Sequence, residues 1–287
     1  MNKTHKNTLA VLLFVIILSG LILSNITTSN ATDVLVKEDN YTLVFSDEFD
    51  LPDGSQPNED SWSCSPRMQC TWARWVSNSP EVVYIQDGSL VCRALRNSSN
   101  PADTALMLTG AVETRGKYSF QYGKIEVRAK TNLHDGNFPA IWLMPQPPAP
   151  RHPNGGEIDI FESFGKEDKA QQTIHTHWTL NLKHDNKPKN KFVKAGAGID
   201  EWHVYGLVWT PDRLVFTIDG EVSGEYAKAD DEEALANEQW PFDRPFYIIL
   251  NQSLLSFGTH RKSDPDPDYV YETMFDWVRV YQKKEAK

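Results

Sequence analysis

Three carboxylic acids, Glu157, Asp159 and Glu162, fall within the ten residues GEIDIFESFG, from Gly156 to Gly165. On a β-strand, side chains alternate between faces, so Glu157 and Asp159 share a face and Glu162 points the other way. One extra residue at Ile160-Phe161, a β-bulge, returns Glu162 to the face of the other two. Crowding three acids costs repulsion and desolvation, and such crowding is what tunes carboxyl groups for acid–base chemistry. Glycoside hydrolysis uses such a pair. One carboxylate stays ionised while its neighbour holds a proton for the leaving oxygen, and retention of configuration needs the two roughly 5–5.5 Å apart. The α-carbons of Glu157 and Glu162 are expected roughly 13 Å apart at about 3.3 Å per residue, so their side chains must lean toward each other over Asp159.

A sugar site also needs flat apolar walls with a few placed polar groups. Phe138 and Trp142 in NFPAIWLM, Trp178 in IHTHW, and Trp72 and Trp75 in TWARW flank the acids in sequence and supply candidates. His175 and His177, two apart, are expected on one strand face, where they could bond sugar hydroxyls. The same histidines could be read with the acids as metal ligands, but acids at offsets of two and three do not make a zinc pattern.

The elements that must hold these residues read as strands almost throughout. SLVCRAL, GKIEVRAK, AIWLM, HVYGLVWT, RLVFTIDGEV, PFYIILNQS and DWVRVYQ are short, rich in β-branched and aromatic residues, and punctuated by Gly, Pro, Asn and Asp. In GKIEVRAK, Ile125, Val127 and Ala129 alternate with charged residues, the pattern of a half-buried antiparallel strand. Asp219-Gly220 predicts a two-residue hairpin, and DDEEALANEQW from Asp231 predicts one short helix. Many short strands in one chain imply two packed antiparallel sheets, a sandwich or jelly roll. The Pro-rich PQPPAPRHPNGG, leading into the acid-bearing strand, reads as a rigid wall beside the site. LKHDNKPKNK reads as a solvated, basic hairpin end.

The first 31 residues place Lys3, His5 and Lys6 before an apolar run from Leu9 to Ile26, then Ser29-Asn30-Ala31. This predicts a secretory signal cleaved after Ala31, with an uncleaved anchor as the alternative, and an extracytoplasmic location. Residues 32–287 then form a single catalytic domain. Loss of Lys3 and Lys6 with the signal takes the net charge from −10 to −12, which disfavours nucleic acid and argues mildly against anionic polymers as partners. Three cysteines have no metal-ligand spacing; Cys64 and Cys70 could close a small loop, leaving Cys92 over. Nothing calls for a partner protein, and a monomer is expected. The two-carboxyl chemistry requires no cofactor, and the DPDPD run at Asp264 to Asp268 lacks the spacing of a calcium loop.

GGEIDIFES resembles the signature of glycoside hydrolase family 16, in its bulged branch with the pattern Glu-x-Asp-x-x-Glu. The similarity continues through YTLVFSDEFD, AVETRGKYSFQYGKIEVRAK, NFPAIWLMP, WHVYGLVWTPDRLVFTIDG, WPFDRPFYIILN and FDWVRVYQ, in order along residues 32–287. The resemblance implies an all-β, concanavalin A-like fold: a curved jelly roll of two antiparallel sheets with an open cleft, hydrolysing chains internally with retention. It implies Glu157 as nucleophile, Glu162 as general acid/base and Asp159 as assisting acid. Trp142 and the Phe138 position, usually Trp in laminarinases, would border the sugar, with Trp75, His175, His177, Trp178 and Asn251 as further contacts. A structural calcium in some members points to Asp276 as a ligand. The resemblance to laminarinases and β-1,3(4)-glucanases implies a neutral β-1,3- or mixed β-1,3/1,4-glucan as partner. The sequence departs from laminarinases at Phe138 and at ILNQSLLSFG, and bulged members also include galactan hydrolases. A glucan-binding protein and a transglycosylase on the same fold are the readings from other functional classes.

Overall fold

The computed structural model describes residues 40–98, 102–255 and 264–283; the expected signal segment lies outside them. Asn40 to Lys287 forms one compact unit. Among the described residues, fifteen strands run in chain order: β1 (Tyr41–Asp47), β2 (Ser63–Cys64), β3 (Val83–Gln86), β4 (Ser89–Arg96), β5 (Met107–Glu113), β6 (Gly123–Thr131), β7 (Asn137–Pro145), β8 (Glu157–Glu162), β9 (Lys169–His175), β10 (Lys191–Ala195), β11 (His203–Trp209), β12 (Arg213–Ile218), β13 (Glu221–Ala227), β14 (Phe246–Leu254) and β15 (Tyr271–Lys283). All the strand pairings are antiparallel.

One layer runs β10-β9-β8-β7-β14-β5, and the other runs β4-β15-β6-β11-β12-β13. A short β4–β5 ladder joins them, so the jelly roll is one continuous, strongly curved sheet. Apolar side chains from both layers meet in a single core: Ile141, Ile158, Ile160, Phe161 and Leu250 from the first, and Ile125, Val127, Leu207, Phe216 and Val280 from the second. Phe161 stacks on Tyr205 at 4.2 Å across that core. β6 shows the expected strict alternation of buried and half-buried residues, because its charged face meets solvent.

The expected hairpin turns at Asp219 (φ 54°) and Gly220 (φ 79°), the paired positive φ values of a type I′ turn. The expected helix is α1 (Glu232–Ala236), capped by Asp231, whose carboxylate accepts from Ala234 N–H at 2.8 Å. Cys64 and Cys70 do not close a loop; all three cysteines are free thiols. Cys64 sits on β2, opposite Val112, and its Sγ donates to main-chain carbonyls of Ser65 and Ser77, while Cys70 packs against Ala73, Val76 and Ala111. No helix among the described residues is long and apolar enough to cross a membrane.

Candidate active site

β8 carries the acids, and its ladders on both sides slip at the expected place. Against β7, Trp142 faces Asp159 while Ile141 faces Phe161, leaving Ile160 as the extra residue. Against β9 the register shifts between Asp159 and Glu162. Ile160 and Phe161 both turn into the core, which is how one inserted residue brings Glu162 back beside Asp159. Gly156 starts the strand at φ 84°, where an added Cβ would lie 2.8 Å from Phe242 and 2.9 Å from Pro241.

Register then defines the cleft floor. Thr173, Asp159, Trp142 and Ile249 face one another across β9, β8, β7 and β14. Glu162 is flanked by Gln171 and Ala140, and Glu157 by His175. Glu157 keeps 18% of its side chain accessible, whereas Asp159 keeps only 2%. Asp159 is in hydrogen-bonding contact with both glutamates, so one carboxyl bridges them, an arrangement that suits the short spacing of a retaining pair.

The three acids are driven apart in acidity. Burial, then the negative charges of Glu162 and Glu157, raises Asp159 well above the usual carboxylate range. Burial and the charge on Glu157 push Glu162 up to about 7, against weaker opposition from the hydrogen bonds of Thr173 (3.3 Å) and Gln171 (3.5 Å) to its Oε2. Burial also acts to raise Glu157, but the hydrogen bond from His152, reinforced by the positive fields of His175 and His152, overrides it and holds Glu157 below its usual value. His152 Nε2 stands 2.9 Å from Glu157 Oε2, and this contact raises the histidine above 6.5. His175 Nε2 lies 3.3 Å from Asp159 Oδ2, and burial lowers its own affinity for protons. An ionised carboxylate beside protonated ones is the charge arrangement that general acid and nucleophilic catalysis need.

The expected sugar contacts separate into groups. Trp142 lies beside Asp159 with Trp72 edge-on against it at 4.9 Å. Phe138, two residue pairs along the same face, packs on Phe164 at 4.9 Å. Asn251 is buried; its Oδ1 accepts from Trp142 Nε1 at 2.8 Å and its amide donates to Phe138 O and Ser253 Oγ. It therefore positions Trp142. Trp75 packs with Ala94, Met107, Leu254 and Tyr271 in a separate cluster, so of the TWARW pair it is Trp72 that joins Trp142. His175 and His177 do not share a strand face, because β9 ends at His175 and Thr176 caps a single π-helical turn, His177–Asn181, in which His177 Nδ1 bonds to Asn181. Trp178 lies in that turn, donates from Nε1 to Lys187 O at 2.7 Å and stacks on His184, beside a second cavity bordered by Ala227 to Ala229. Asp276 is on β15, in the opposite layer, ion-paired to Arg128.

Sequence reasoning missed His152, Thr173 and Gln171. His152 had a legible signal, since it is a titratable group in the loop read as a wall beside the acids. Thr173 and Gln171 needed the β8–β9 register. Glu157, Asp159 and His175 bring three ligand atoms within 4.8 Å of one another, a group able to accept a cation. A cavity of about 350 Å³ adjoins the acids on the β9–β10 side, bordered by Thr173, His175, Lys183, Lys189 and Lys191.

The jelly roll thus carries three mutually interacting carboxyls and an aromatic wall on one face of its sheet. The sequence profile of glycosyl hydrolases family 16 matches residues 71–277, and the chain belongs to that family. It is 31% identical over 255 residues to a keratan-sulfate endo-1,4-β-galactosidase of Sphingobacterium multivorum, covering 88% of this chain and 57% of that protein. It is 29% identical to a β-glucanase of Rhodothermus marinus, over 86% of this chain and 87% of the relative. Among solved structures, a non-specific endo-β-1,3(4)-glucanase superposes with a TM-score of 0.73 at 29% identity, covering 86% of this chain and 92% of that one. The chain is thus similar both to β-glucanases and to a keratan-sulfate endo-1,4-β-galactosidase, and it spans little more than half the length of the latter.

Proposed function

We propose that the protein is a secreted, endo-acting, retaining β-glycosidase, with neutral β-1,3- or mixed β-1,3/1,4-glucan as its substrate. The observation that carries the mechanism is the acid trio: a deprotonated Glu157 held by His152, bridged through Asp159 to a proton-bearing Glu162. Glu157 attacks the anomeric carbon while Glu162 gives its proton to the glycosidic oxygen, and the leaving chain departs with a new hydroxyl. Glu162, now ionised, takes a proton from water, whose oxygen displaces Glu157 and releases the sugar with its original configuration. Asp159 donates a hydrogen bond to Glu157, which favours the carboxylate until the covalent bond forms. Trp142 and Trp72 provide an apolar wall for a sugar ring.

Reducing-end release on mixed-linkage glucan, laminarin and desulfated keratan chains, with Glu157→Gln alongside, tests this reading. Activity on either glucan that disappears in the variant supports it. Silence on all three polymers together with glucan binding would favour a binding protein, and products longer than the substrate would favour a transglycosylase. A β-galactoside substrate is the second reading. The similarity to the keratan-sulfate enzyme favours it.

A further inference from the structure

β9 leaves the acid cluster at His175, passes through the π-helical turn and a hairpin closed by the Asn186–Lys189 bridge, and returns as β10. That path folds Lys183, Lys189 and Lys191 around one cavity of about 350 Å³ whose near wall is Thr173 and His175. A solvated hairpin end would spread such lysines apart, because like charges repel. Here they converge. Lys166 and Lys169 form ion pairs with Asp135 and Glu167, yet among the described residues none of the three cavity lysines is ion-paired, and Asp185 is the one carboxylate in the lining. This local excess of positive charge sits on a chain with net charge −10.

The cavity belongs to the reaction cleft by register. Lys191 is directly opposite Thr173, and Thr173 is directly opposite Asp159. Two strand spacings of about 4.8 Å therefore place Lys191 roughly 10 Å from Asp159. A substituent on a sugar bound beside the acids can span that gap. Thr173 touches both regions, donating to Glu162 from Oγ1 and lining the cavity.

We propose that this cavity is a subsite for an anionic substituent of the bound glycan, a sulfate ester or a carboxylate, gripped by Lys183, Lys189 and Lys191. The inference rests on the acid face being a glycan-cleaving cleft and narrows its second substrate reading from a β-galactoside to one bearing negative charge. Lysine ammonium groups suit such a ligand because charge-assisted hydrogen bonds are the strong ones, and a concave wall strengthens their field.

Calorimetric titration of the Glu157→Gln protein reads the subsite without turnover. The probes are a keratan sulfate oligosaccharide, the same oligosaccharide after desulfation, and a sialylated, unsulfated lactosamine chain. The sulfated or the sialylated probe is expected to bind about tenfold more tightly than the neutral one, as one or two charge-assisted contacts would give. Preference for one charged probe over the other identifies sulfate or carboxylate as the group held. The advantage should shrink with added salt and vanish when Lys183→Ala and Lys189→Ala are added, with an unchanged melting temperature showing that the fold is intact. Equal affinity for charged and neutral probes, or an advantage that survives loss of both lysines, overturns the subsite. Hydrolysis of a neutral chain by the unsubstituted protein, with no gain from charge, would retire the subsite alone. Charge-dependent binding without hydrolysis of any chain would retire the hydrolase and keep the subsite.

Discussion

Glu162 combines two features that support each other, a buried carboxyl and a need to carry a proton at neutral pH, because burial disfavours its ionised form. Its value of about 7 predicts that activity falls as pH rises through that region, while the lowered value of Glu157 keeps the acid limb below about 4.5, the reference for a free glutamate. Because the trio is coupled, the measured limbs belong to the cluster. His152→Ala removes the hydrogen bond that holds Glu157 down, so the acid limb of a kcat/KM profile should move to higher pH; an unmoved limb would remove His152 from this role. Glu162→Gln should reduce turnover by about 10²–10⁴-fold. The same substitution has a stability signature. A group whose folded-state value is raised stabilises the fold below its unfolded value and loses that contribution as pH climbs through the folded one. For Glu162 the window runs from about 4.5 to about 7. His175, lowered by burial, shifts stability the opposite way, so the test is the difference between melting curves of the parent and Glu162→Gln. The variant should gain relative to the parent as pH rises from 4.5 to 8. A constant difference would mean that the carboxyl is not strained.

β8 is the element on which the site depends. Deleting Ile160 would remove the extra residue and leave Glu162 two positions from Asp159 on a regular ladder, still on the same face, so a folded variant should keep measurable activity. Ala inserted between Ile158 and Asp159 would instead turn Glu157 away from the other two acids and should abolish it. Gly156 makes a second element-level test. A methyl group there meets Phe242 and Pro241 at a positive φ, so Gly156→Ala should cost about 2–5 kcal/mol in denaturant unfolding and displace Glu157. Neutral behaviour would show that the strand start can relax. The bulge was legible because three acids at offsets of two and three make sense on one face only with an inserted residue. The pairing of His175 with His177 was misread because period-two alternation was carried past the strand end, and Thr176 capping a π-helical turn leaves no alternation signal. Trp72 and Trp75 could not be ranked from sequence, since both sit in a loop whose path is set by packing against Trp142 on one side and Tyr271 on the other.

At the scale of the whole molecule, alternation and turn residues foretold the two antiparallel layers, and motif order foretold the family. Sequence pattern alone could not fold the LKHDNKPKNK hairpin back on the cleft, because its charges look solvent-facing until the β9–β10 register is known. Hydrolysis by two carboxyls needs no metal, so dialysis against a chelator should leave kcat unchanged. Loss of activity restored by a divalent ion would instead make Glu157, Asp159 and His175 a metal site. The central claim is double displacement through Glu157, and its stereochemistry tests it most directly. Proton NMR of the anomeric region during the first minutes of hydrolysis should show the new reducing end appear as the β-anomer and only later mutarotate. First appearance of the α-anomer would contradict the account, since it would mean a single direct displacement by water.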